Sequence, residues 1–249
     1  MNDEKEFEIE VSNRISKQIS NNQLKAHADA FLTESLKSQY IYNFSWLGRP
    51  IIQTPQDLIA LQEIIFKIKP DLIIDVGVAR GGSLIYFASI LELVGIYGGN
   101  KQAKVLGVEI DLRDHNRQAI LASPLSAKIK IIEGSSVDSN VVSLVQDEVS
   151  KVKTVLVCLD SLHTHKHVFS ELMAYSNFVS LGSYCIVFDT SIEGQKDELF
   201  SDRPWKSGDS PGSAVEEFLN HNKNFLVDEQ IDGQLLITMN KRGYLKRVK

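Results

Sequence analysis

The chain has only two cysteines, Cys158 and Cys185, and each falls inside an apolar run. Neither a disulfide framework nor a thiolate metal pair is expected from them, so both read as small core hydrophobes in a reducing compartment. No extended block of Lys or Arg occurs, and the net charge is −5 with a pI near 5.7. The electrostatic footprint that attracts a phosphate backbone or an anionic membrane is missing, which argues against nucleic acid and membrane as partners. No segment approaches the length of a bilayer span, and the opening Met1-Asn2-Asp3-Glu4-Lys5 is charged with no apolar run behind it. A soluble, cytoplasmic protein is expected. Internal repeats and low-complexity segments are absent as well.

What is present suits one sizeable core. A length of 249 residues with 43% hydrophobic side chains is more natural for one decorated domain than for two. Residues 1–45 read as an N-terminal helical extension or cap, because Phe7, Val11, Ile15 and Ile19, then Leu24, Ala28, Phe31, Leu32 and Leu36, recur at helical spacing as two helices or one broken one. That apolar stripe would suit a homo-oligomer, and folding back on its own core explains it equally well. Thr54-Pro55 supplies an N-cap and a first-turn proline for a helix ending near Lys67.

From there to residue 249 short β-branched runs alternate with helical patterns. The runs are Asp71 to Asp75, Lys104 to Glu109, Lys128 to Glu133, Thr154 to Asp160 and Ser183 to Asp189. Strands apolar on both faces and separated by helices form a parallel sheet covered on both sides. Helices are expected at Gly82 to Val94, Arg113 to Leu121, Asn140 to Lys151, His165 to Ser176 and Ser213 to His221. The rhythm breaks at the end, where Asn224 to Gln230 and Gln234 to Met239 flank Ile231-Asp232-Gly233 and read as a hairpin. The expectation is an α/β, doubly wound, Rossmann-like seven-stranded sheet, mostly parallel with an antiparallel C-terminal hairpin strand, a topology that resembles class I methyltransferases.

In open α/β sheets ligands bind beyond the carboxyl ends of the strands, near the switch in strand order. Asp75 opens the turn Asp75-Val-Gly77-Val-Ala79-Arg-Gly81-Gly82-Ser83, whose glycines allow close backbone approach before a helix N-terminus. The turn is not Gly-x-Gly-x-x-Gly, and a carboxylate there repels a pyrophosphate while attracting an ammonium group, which weighs against a nicotinamide-dependent oxidoreductase. Glu109 is placed to accept from two ribose hydroxyls, and Gly134-Ser135-Ser136-Val-Asp138 to border an adenine. S-adenosylmethionine meets all of these demands, with Asp75, Gly77, Ala79, Ser83, Glu109, Ser135, Asp138 and Asp160 as its expected contacts.

A second constellation pairs Asp160-Ser-Leu-His163 with Asp189. Neighbouring parallel strands lie about 5 Å apart, so the two acids can share one crevice, where they repel unless a cation sits between them. Hard oxygen ligands favour Mg²⁺, and the bland alternative is that each acid caps a following helix. His163 is the candidate general base, because its ordinary pKa lies near neutrality. His165 and His167 read as structural, although a three-histidine zinc site in a loop stays open. The irregular stretch Ser191 to Gly212, with Trp205, is the candidate lid.

Taken together, Trp46-Leu-Gly-Arg-Pro50, Asp75 to Ser83, Gly107-Val-Glu-Ile-Asp111, Leu159-Asp-Ser-Leu-His163 and Gly182 to Thr190 resemble the cephalosporin hydroxylase-like proteins, which include rhamnosyl O-methyltransferases. The likeness runs from about Trp46 to Met239. It implies methyl transfer to a hydroxyl of a small-molecule acceptor, a sugar or glycoside, with a metal held by the acid of the Leu-Asp-Ser motif and an acidic pair ending the fifth strand. Asp160 and Asp189 fill two of those positions, and Phe188 stands where Glu is expected, leaving water, Glu193 or a substrate oxygen to complete the shell. A non-catalytic cofactor-binding member is the rival that Phe188 supports. The hydroxylase name does not carry over, because no two-histidine, one-carboxylate iron arrangement is visible.

Overall fold

The computed structural model describes residues 3–249. Two helices open the chain, α1 (Asp3–Ser20) and α2 (Asn22–Lys37), divided at Asn21, whose side chain accepts from Leu24 N at 3.0 Å and starts α2 afresh. They fold back on the rest of the molecule. Gln18 donates to the carbonyl of Gly233 at 2.6 Å, and Leu32 of α2 clusters with Ile41 and Met239. A short ribbon follows, β1 (Ser45–Trp46) and β2 (Arg49–Pro50), turning at Leu47 and Gly48, which both have positive φ as a tight hairpin requires. Helix α3 (Pro55–Ile68) begins where Thr54 caps it.

The alternating part then runs β3 (Leu72–Val76), α4 (Gly82–Ile96), β4 (Lys104–Glu109), α5 (Asp114–Leu121), β5 (Ile129–Glu133), α6 (Ser139–Val149), β6 (Val155–Leu159), α7 (His165–Tyr175), β7 (Tyr184–Val187) and α8 (Pro211–His221). It ends with β8 (Phe225–Val227), α9 (Glu229–Leu235) and β9 (Tyr244–Arg247). The seven strands lie in the order β5-β4-β3-β6-β7-β9-β8, and β9 runs antiparallel to both neighbours. Side chains alternate between two cores, which is why the inner strands β3, β6 and β7 are almost wholly apolar. Ile73, Leu156 and Ile186 pack under α3 and α4, while Ile74, Val157 and Cys185 pack under α6, α7 and α8. Both cysteines are free and buried, as read from the sequence.

The expected closing hairpin needs correction. An antiparallel closing pair exists, but Gln234 to Met239 is not its second strand. Residues 229–235 form a helix capped by Asp228, whose side chain accepts from Gln230 N at 3.2 Å. Gly233 lies so close beneath α1 that an added Cβ would sit 2.3 Å from Ile19 Cδ1. The run 236–239 is a loop whose Met239 is buried under α2, and β9 starts only at Tyr244.

Candidate active site

Strand order reverses between β3 and β6, and this opens a crevice at their carboxyl ends. Gly77, with φ +96°, begins the turn after β3, and a Cβ there would fall 2.0 Å from the Asp160 carbonyl oxygen. This glycine therefore lets the turn lie against the tip of β6; the space it spares is filled by backbone. Asp75 is 1% exposed and accepts from Ser83 Oγ at 2.7 Å. Burial, opposed by the Ser83 hydroxyl and reinforced by the charges of Asp160 and Glu109, pushes its pKa up to about 8. Helix α4 begins at Gly81 with no side-chain cap, so its first-turn amides at Gly82 and Ser83, both lining the crevice, are a ready anion site.

Glu109 Oε2 accepts from Val78 N and Ala79 N, each at 2.9 Å, and Oε1 accepts from Asp111 N at 3.2 Å. The carboxylate thus stitches the tip of β4 to the glycine turn, where Ala79 has φ +46°. Ser135 and Asp138, like Asp75 and Glu109, do not line the cleft: Asp138 caps α6 through Asn140 N at 2.8 Å, and the Ser135 carbonyl accepts from Asp138 N at 3.0 Å. Their neighbour Ser136 is the buried one. It donates to Glu171 at 2.5 Å, and Ser161 donates to the same carboxylate oxygen at 2.6 Å.

Asp160, His163 and Asp189 converge. His163 Nε2 lies 3.4 Å from Asp160 Oδ1, and Nδ1 lies 3.1 Å from Asp189 Oδ2. Nδ1 is buried and makes no hydrogen bond, because its approach to Asp189 is poorly aligned. Burial pulls the His163 pKa down, but the charges of Asp189 and Asp160 outweigh it and the net shift is upward. Both carboxyls are raised, chiefly by burial, with the Asp189 charge adding to the shift at Asp160 and His163 opposing both. One ligand atom from each residue can be chosen so that all lie within 4.8 Å of one another. Two carboxylates and one imidazole, whose buried Nδ1 has no hydrogen-bond partner, fit a divalent cation.

Phe188 adds nothing to that donor set. It is 3% exposed and belongs to the core under α3 and α4. Glu193 is also committed elsewhere, accepting from Ser210 Oγ at 2.6 Å, Ser207 Oγ at 3.0 Å and Gly208 N at 3.0 Å. The three histidines diverge: His165 binds Ser213 and Glu217 of α8 at 2.8 Å each, and His167 faces Glu171. A residue missed in the sequence is Gln53, 5% exposed, which donates to Asp160 Oδ2 at 3.2 Å. Its only signal is its place just after the Trp46 to Pro50 motif.

Around these groups lies a cleft of about 380 Å³, a size suited to a small molecule. One wall comes from α2 and the segment after it, with Leu36, Ile41 and Tyr42, and the facing wall from Leu199, Phe200, Arg203 and Trp205 of the expected lid. Trp205 packs over His163 with ring centroids 4.8 Å apart, and the Arg203 guanidinium lies over Trp205 at 5.5 Å.

A doubly wound sheet closed by one antiparallel strand, with a buried acid at the tip of β3 and half-buried acids at the tips of β6 and β7, has the class I methyltransferase architecture. The family described as Rhamnosyl O-methyltransferase/CmcI matches residues 38–248, and the chain belongs to that family. Among similar proteins, the Rhamnosyl O-methyltransferase of Mycobacterium leprae is 25% identical over 173 residues, covering 66% of this chain and 69% of the relative. Its namesake in Mycobacterium tuberculosis is 27% identical over 176 residues, covering 66% and 65%. A solved structure of CmcI with Mg and SAM superposes with a TM-score of 0.57 at 17% identity, covering 84% of this chain and 78% of that one, a likeness of fold. Among the described residues no helix is long and apolar enough to cross a membrane.

Proposed function

We propose that the protein transfers the methyl group of S-adenosylmethionine to a hydroxyl of a sugar or sugar-bearing small molecule, with Mg²⁺ assistance. The observation that carries this reading is the meeting of Asp160, His163 and Asp189 beside the glycine turn, in one cleft. Relatives named Rhamnosyl O-methyltransferase and a CmcI structure described with Mg and SAM support it. Asp75 would face the cofactor's ammonium group, and the uncapped start of α4 at Gly82 and Ser83 its carboxylate. Glu109 would reach the ribose through lone pairs that the turn amides leave free. Ser135 and Asp138 would border the adenine only from outside the present cleft.

The sulfonium supplies an activated methyl, so the protein must chiefly align donor and acceptor and exclude water. Asp160 and Asp189 would hold the cation, which when bound lowers the acceptor hydroxyl's pKa. His163 would take the hydroxyl proton at whichever ring nitrogen turns from its carboxylate, and Trp205 would shield it from solvent. Residues 1–45 act in this reading as a cap over the acceptor end, on a cytoplasmic protein, with homo-oligomer formation through their exposed stripe as a further part of the proposal.

Calorimetry tests the cofactor and the cation separately. S-adenosylmethionine should bind, and Glu109→Ala should weaken it by about tenfold or more, about 1.4 kcal/mol; binding untouched by that change sinks the cofactor assignment. With a rhamnoside acceptor, a chelator should abolish turnover and Asp160→Asn should do the same. Turnover indifferent to both removes the metal.

A further inference from the structure

The buried polar bracket at the C-terminal end of the chain has no part in the scheme above, yet it reaches the site. Asp189 has φ +55°, the left-handed region, which Asp tolerates better than most side chains but which still costs free energy unless local hydrogen bonds hold it. Its amide donates to Asn240 Oδ1 at 3.1 Å. Asn240 is 0% exposed and is itself fixed from behind: its side-chain amide donates to Tyr244 Oη at 3.3 Å, and its backbone N–H donates to Thr238 Oγ1 at 2.9 Å. Tyr244 and Thr238 both donate to Asp57 Oδ1, at 2.7 and 2.5 Å, and Met239 N donates to Asp57 Oδ2 at 3.0 Å. Asp57 is likewise 0% exposed, at the start of α3. The following residues are gripped by the same loop, with Ser191 N on the Met239 carbonyl at 2.9 Å and Thr190 Oγ1 on the Lys241 carbonyl at 2.7 Å.

A buried network of this kind is costly unless every member is satisfied, and here the members converge on one strained residue. Asp57 organises the 238–241 loop, the loop presents the Asn240 oxygen, and that oxygen holds the Asp189 amide where the chain turns left-handed. The turn in its place sets the Asp189 carboxylate 3.1 Å from His163. We infer that Asn240, backed by Tyr244 and Asp57, is a positioning residue that locks Asp189 in the left-handed conformation needed to face Asp160 and His163 across the cleft. The inference rests on the proposed function for what the three residues then do.

The test compares wild type with Asn240→Ala by three measurements below both unfolding midpoints: Mn²⁺ titration followed by electron paramagnetic resonance, calorimetry of S-adenosylmethionine, and a crystal structure. Mn²⁺ affinity should fall about tenfold or more, as for other residues that orient a ligand from behind, while cofactor affinity stays within about twofold. Asp189 should leave the left-handed region. If Asn240→Ala does not fold, Tyr244→Phe, which removes one hydroxyl, carries the same test with a weakening of about threefold expected. A variant with a lowered unfolding midpoint but unchanged Mn²⁺ affinity and an unmoved Asp189 overturns the inference. Should wild type bind no Mn²⁺, the metal half of the proposed function fails, and the conformation of Asp189 in the variant alone decides the role of Asn240.

Discussion

Asp75 offers the sharpest single perturbation, because its burial opposes its charge. In the folded protein its pKa is pushed up to about 8, whereas in an unfolded chain it lies at about 3.9. Between those values the folded state keeps a proton that the unfolded state has released. Stability due to this group is therefore fully present below about pH 4 and is lost at about 1.4 kcal/mol per pH unit until pH passes the folded pKa. At pH 7 the loss reaches about 4 kcal/mol. Asn at this position still accepts from Ser83 Oγ and cannot ionise.

Asp75→Asn should thus match wild type in thermal unfolding near pH 4 and exceed it increasingly above. A gain of about 4 kcal/mol at pH 7 corresponds to about 8–16 °C for a chain of this size. The same change should weaken S-adenosylmethionine, since the neutral amide offers the ammonium group no charge. In wild type at pH 7, the bound ammonium should drive the proton off Asp75, so calorimetry in buffers of different ionisation enthalpy should show up to one proton released. A difference in unfolding midpoint that is the same at pH 5 and pH 8 would refute the reasoning, because a slope arises wherever the unfolded chain has released a proton that the folded state keeps.

Two further outcomes probe the walls of the site. Phe188→Glu should not build a better cation site: the side chain lies in the core under α3 and α4, so an unpaired carboxyl there should cost about 3 kcal/mol or more, about 6–12 °C in unfolding midpoint. Mn²⁺ affinity improved without that loss refutes this placement. Trp205→Ala, which removes the ring over His163, should raise the acceptor KM by about tenfold while leaving S-adenosylmethionine affinity unchanged; equal losses for both ligands would show that the loop does not belong to the acceptor side.

The parts of this molecule that could be read from the sequence are those whose causes are local. Thr54-Pro55 announces α3 because the cap acts within one turn, and the structure has Thr54 accepting from Asp57 N at 3.2 Å. The inner parallel strands show as doubly apolar runs because both faces are covered by helices. Residues 229–239 were deceptive for the complementary reason. Their apolar content serves the packing of α1 against α9 and of α2 against Met239, so a strand-like composition had a helix and a buried loop as its structural answer. Glu109 shows the same limit within the site: its strand-tip position was legible, but its grip on the Val78 and Ala79 amides depends on how the turn coils in space.

Asp57 carries the point furthest. Read locally it is a first-turn acid in a capped helix, a role that asks for no burial and would leave it solvated. In the fold its partners Thr238 and Tyr244 stand 181 and 187 positions away, and burial raises its pKa against the four hydrogen bonds it receives from Thr238, Met239, Tyr244 and Thr54. Capping alone does not require this buried acid, since Thr54 already caps α3. What the burial secures is long-range: the start of α3, the loop before β9 and the strained Asp189 become one rigid unit. The reactive end of the site is therefore determined by the chain's last dozen residues as much as by its strand-tip motifs, and no motif scan confined to the strand tips can register them.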